Sequence, residues 1–112
     1  MKLTLDDAWK YHIEMWDWIV SEIRTRRRDS KRHHRGVEDL KKEWCLQHEI
    51  KVRKNCFFCE YNVQQRGLVD CTACPPRLID PTFFCLYRPC YESDPIGFHK
   101  RVMAIYKDFV EK

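Results

Sequence analysis

Two C-x2-C hooks constrain this chain more than anything else in it: Cys56-Phe57-Phe58-Cys59 and, after eleven intervening residues, Cys71-Thr72-Ala73-Cys74. A C-x2-C turn lets both sulfurs face one point about 2.3 Å from a metal ion, and two such turns complete a tetrahedron with no place for water. The spacing is close to that of zinc ribbons and related knuckles. The expectation is one structural zinc ion held by Cys56, Cys59, Cys71 and Cys74. In a small module such an ion contributes on the order of 10 kcal/mol or more to folding. Four thiolates also suit an iron–sulfur cluster, although electron carriers usually show a denser cysteine run. The bland alternative is a set of buried or redox-active thiols.

The remaining cysteines bear on compartment and on further ligands. Seven is an odd number, so an all-disulfide scheme leaves one thiol over. Paired C-x2-C spacing in a reduced compartment points to metal rather than to disulfides. Cys90, between Pro89 and Tyr91, is the first substitute for a member of the quartet, and Cys85 the second. Cys45 and His48, spaced C-x2-H at a helix end, could join Cys85 and Cys90 in a second, Cys3His site, set against a plainer reading of Cys45 as core and His48 as surface.

With 112 residues, 44% apolar and 34% charged, the chain has room for one domain and enough apolar surface to fold. Its longest apolar stretches fall far short of the roughly 20 residues a membrane span requires, so no membrane association is expected. Asp6 and Asp7 stand where the apolar part of a secretory leader would lie, which favours the cytoplasm.

Three helices are legible from periodicity. Thr4 and Asp7 resemble a capping box, and apolar residues recur at Leu5, Ala8, Trp9, Ile13, Trp16, Ile19, Val20 and Ile23, predicting a helix from about Leu5 to at least Ile23. A second runs from Val37 through Leu40 and Trp44 to about His48. A third starts where Ser93 or Asp94 can cap it with Pro95 in the first position, and continues through Phe98, Val102, Ile105, Tyr106 and Phe109. Between them, prolines, cysteines and short β-prone pieces replace the helical period. The fold class is therefore mainly α. A helical hairpin over 1–54 and a helix over 95–112 would pack on a zinc knuckle over 55–94, with little β.

Between the first two helices, residues 24–36 hold seven Lys/Arg against one Asp, about +6, leaving about −2 for the rest of the chain. Arg24, Arg26, Arg27, Arg28, Lys31, Arg32 and Arg35 could grip DNA or RNA phosphates, meet an acidic protein, or simply form a solvated tip. Trp18 lies off the apolar stripe and is a candidate interface anchor. His12, His33, His34 and His99 read as isolated histidines, more often surface residues than bases. No nucleophile–base set, phosphate loop or paired-carboxylate motif accompanies them, so no enzyme is expected.

The stretch Ala8-Trp9-Lys10-Tyr11-His12-Ile13-Glu14-Met15-Trp16-Asp17-Trp18-Ile19, with Cys56-Phe57-Phe58-Cys59-Glu60-Tyr61 and Cys71-Thr72-Ala73-Cys74-Pro75, resembles small uncharacterised proteins of phages and prophages of Gram-positive bacteria. The dense Arg24–Arg35 run and the long Pro/Cys-rich region after Cys74 depart from that pattern. The resemblance names no activity. It implies a setting in the host cytoplasm, where compact phage proteins often bind host machinery or a defence protein. The expected function is a non-enzymatic, zinc-stabilised protein that binds and inhibits a host or defence factor; the competing one is a zinc-dependent nucleic-acid-binding regulator using Arg24–Arg35.

Overall fold

A computed structural model describes residues 2–28, 36–50, 56–67, 73–83, 91 and 93–111, with the backbone alone at 26–28 and 111. These contain five helices and no strand: α1 (Leu5–Arg28), α2 (Val37–Gln47), α3 (Phe57–Arg66), α4 (Pro75–Ile79) and α5 (Pro95–Glu111). The mainly α class is as expected; α3 and α4 are a correction. In the described part of the cysteine-rich region the backbone is helical where β-prone pieces were predicted. The local reason is legible in hindsight, since Glu60, Gln64, Gln65 and Arg66 favour helix and Gly67 stops it in the left-handed conformation at φ 79°.

α1 is the axis on which the rest is laid. Thr4 and Asp7 close its start reciprocally: the Asp7 N–H donates to Thr4 Oγ1 at 3.1 Å and the Thr4 N–H to Asp7 Oδ2 at 3.2 Å. Its 24 residues span about 36 Å, and it packs against α2, α3 and α5. Ala8, Trp9, His12, Met15, Trp16, Ile19, Val20 and Ile23 are buried, each three or four positions from another. The stripe is therefore turned slightly from the expected one: His12 and Met15 are inside, while Leu5 and Ile13 are only partly covered.

Aromatic rings supply most of the joints. Trp9 meets Phe58 of α3 edge-on at 4.9 Å and packs on Tyr106 and Phe109 of α5 at 5.4 and 5.3 Å. Trp16 contacts Phe98 of α5 at 4.9 Å. Phe57 receives Tyr11 from α1 at 5.5 Å and Trp44 from α2 at 5.8 Å, so three helices converge on one ring. Such pairs are worth about 0.5–1.5 kcal/mol each beyond the area they bury.

Local chemistry explains the remaining ends. α2 finishes in a Schellman motif, with the Ile50 N–H on Cys45 O at 2.9 Å and the Glu49 N–H on Leu46 O at 3.2 Å; the motif places Glu49 at φ 54°, a conformation that suits glycine. Asp94, not Ser93, caps α5: its Oδ1 accepts from the Gly97 N–H at 3.0 Å, and a Cβ at Gly97 would collide with that carboxylate. Asp80 ties the turn after α4 to α5. It accepts from the Thr82 hydroxyl and N–H and from Arg101 at 3.2 Å, and the Thr82 bonds are the main reason its carboxyl is held below the usual range. No described helix is long and apolar enough to cross a membrane.

Two outcomes test this packing in urea unfolding. Trp9→Ala removes the joint between α1, α3 and α5 and lowers stability by about 3–5 kcal/mol. Glu49→Gly relieves the left-handed position and raises stability by up to about 1 kcal/mol; no change or a loss there argues against the Schellman geometry.

Candidate metal centre

The first hook does not sit on a free-standing turn. Cys56 is the N-cap of α3, in extended conformation, and its carbonyl accepts the Glu60 N–H at 2.9 Å; Cys59 lies one turn in. Residues three apart at a helix start share a face, so the two sulfurs are neighbours. The Cys59 thiol hydrogen-bonds the Cys56 sulfur, and this is the main reason the Cys56 thiol is held well below its ordinary value. Burial opposes the shift; His12 and the Lys41 charge add to it. A helix N-terminus favours a thiolate in the same sense.

Phe57 and Phe58, between the sulfurs, are fully buried. They lock the hook onto α1 and α2, which gives its sulfurs fixed positions rather than the freedom of a loop.

The other expected ligands fall as follows. Cys74 is the N-cap of α4, half-buried against the core, with Pro75 and Pro76 starting the helix after it. Cys71, Cys85 and Cys90 lie outside the described residues. Cys45 is buried in α2, and burial pushes its thiol up, partly offset by Lys41. His48 is exposed; its ring stacks on Trp44 at 4.1 Å and its Nδ1 lies 2.9 Å from the Trp44 carbonyl. Cys45, Cys56, Cys59 and Cys74 are thiols outside any disulfide. Among the described residues no three His, Cys, Asp or Glu side chains stand close enough to hold an ion as they are. The pair Cys56–Cys59 is assembled; a complete shell is not.

His12 is a correction: an isolated histidine is expected at the surface, and His12 is 2% exposed, in the middle of the α1 stripe. The ring stacks on Phe58 at 4.3 Å, against the hook itself. Neither ring nitrogen has a partner in good hydrogen-bond geometry. Burial lowers its pKa, and the contact with Cys56 opposes this without overcoming it. The signal was available, since position 12 stands four residues after Ala8 and four before Trp16.

His99 is also buried, with Nε2 2.6 Å from Asp17 Oδ1. It borders an open cleft of about 380 Å³ between α1 and α5, lined also by Ser21, Arg24, Thr25 and Lys100. Arg24 is thus exposed at the threshold of the basic segment. Arg26, Arg27 and Arg28 continue α1, while Lys31, Arg32 and Arg35 lie outside the described residues. Trp18 is half-buried and packed on the core, which limits what it can offer as an anchor.

No protein-family model, curated protein or solved structure matches the chain.

The two kinds of thiol can be separated in the reduced, metal-free protein by ultraviolet thiolate absorbance. Cys56→Ser removes absorbance that develops below the ordinary thiol range, and Cys45→Ser removes only absorbance that develops above it. Identical titration of the two variants would contradict the Cys56–Cys59 contact.

Proposed function

We propose that this chain is a zinc-stabilised binding protein without catalytic activity. In this reading Cys56, Cys59, Cys71 and Cys74 supply the donors for one zinc ion, and the protein acts in the host cytoplasm by binding and inhibiting a host or defence protein. The observation that carries the zinc reading is the Cys56–Cys59 pair, a preassembled two-sulfur hook with one sulfur biased toward thiolate, followed by a second C-x2-C whose Cys74 opens α4. Zinc ligation needs deprotonated sulfur, so that bias favours the metal-bound state. The ion would tie α3 to the segment leading into α4.

The binding half of the proposal rests on the resemblance to phage and prophage proteins and on the charge distribution, with a strongly basic segment on a chain whose remainder is slightly acidic. The same segment supports a second reading, a nucleic-acid-binding regulator. Arg24 favours it, because that residue is exposed beside Lys100 in the α1–α5 cleft at the start of the basic run.

Native mass spectrometry of the purified protein, before and after acid, gives the metal count; one zinc per chain, lost together with cooperative unfolding, is the expected result. Pull-down from host lysate then separates the two binding readings from each other by their response to salt. Phosphate binding weakens steeply with ionic strength and loses about one unit of log–log slope for each arginine contact removed. A single co-purifying host protein with no shift of DNA or RNA at low salt supports the inhibitor; a salt-steep shift abolished by Arg24→Ala with Arg35→Ala supports the regulator.

A further inference from the structure

We infer that His12 is a zinc ligand, so that the ion sits in a Cys3His shell made by His12, Cys56, Cys59 and Cys74. This rests on the zinc reading above and changes its ligand set: a tetrahedral ion has four places, and His12 takes one that the two hooks would otherwise fill.

The case begins with the cost of the imidazole where it stands. His12 occupies a core position of α1 at 2% exposure, and neither buried ring nitrogen has a partner in good hydrogen-bond geometry, the contact with Cys56 falling short of it. Burying a polar group in that condition is costly, and native proteins rarely leave one so. A leucine or methionine would fill the same stripe at no such cost. The walls offer no remedy: Phe58 stacks on the ring at 4.3 Å, with Trp16 and Phe98 at 6.1 and 6.2 Å.

Among the described residues, the titratable groups within electrostatic reach are Cys56, Lys41 and His99. Two of these are engaged elsewhere. Lys41 is 3.5 Å from Glu38 and lies over the Tyr91 ring at 4.2 Å, and His99 holds Asp17. Cys56, paired with Cys59, is the residue through which the ring meets the hook.

The chemistry then fits on each side. A neutral imidazole is the form that binds zinc, and one nitrogen beside thiolates is an ordinary zinc donor set. Phe58 both stacks on the ring and separates Cys56 from Cys59 in sequence, so α1 delivers the nitrogen to the same short segment that delivers two sulfurs. As they stand the three groups do not converge; a change of χ1 at Cys56 or Cys59 redirects a sulfur without moving either helix. Ligation satisfies one ring nitrogen, leaving a single N–H to accommodate in place of two bare atoms.

X-ray absorption at the zinc edge of the full chain, as purified, tests this directly. Three sulfurs and one imidazole nitrogen are expected, and a shell of four sulfurs overturns the inference while the zinc reading stands. A protein that binds no zinc overturns both, and the metal count tells that case from the previous one. Two variants add an independent readout. His12→Phe keeps the apolar slot filled and should release zinc to a chelator at least about tenfold more readily, since even loss of an outer-shell partner costs 10–100-fold. His12→Cys should hold zinc in an all-sulfur shell. Unchanged zinc retention in a folded His12→Phe protein contradicts the assignment, and if that variant does not fold, the wild-type absorption spectrum still decides.

Discussion

The fold depends on two adjacent phenylalanines. Phe57 receives α1 and α2 through Tyr11 and Trp44, and Phe58 meets Trp9 and His12 of α1. Both sit between Cys56 and Cys59, so the residues that space the sulfurs are also those that fix α3 to its neighbours. In many small metal modules the ion organises a segment with little core of its own. Here a chain with a large aromatic core seats the Cys56–Cys59 pair against that core.

That arrangement explains why the long helix is built as it is. A stripe carrying Trp9, Met15, Trp16 and Ile19 can bury itself on three sides only if flanking elements supply rings of matching size, and α3 and α5 do so with Phe58, Phe98, Tyr106 and Phe109. Charged residues are then displaced to the edges or neutralised in place. Lys41 is the clearest case, buried yet covered by Tyr91 and paired with Glu38.

α1, α2 and α5 were legible in the sequence because each repeats apolar residues at helical spacing and carries its own punctuation: Thr4 with Asp7, Gly36, and Asp94 with Pro95. α3 was not, for a definite reason. It is ten residues long and opens on two phenylalanines and a cysteine, so composition pointed to a β-prone knuckle while Gly67 and the run Glu60–Arg66 pointed to helix. The Cys56–Cys59 pairing was legible from spacing alone. His12 was legible only in part: its spacing from Ala8 and Trp16 puts it on the apolar stripe, but a polar residue there reads as an interruption until the contact with Phe58, distant in sequence, places it inside.

The double duty of the Cys56–Cys59 spacer also sets how this segment can change. A spacer of small polar residues would keep the sulfurs and empty the joint between three helices, so the paired thiols and the hydrophobic plug can be inherited only together.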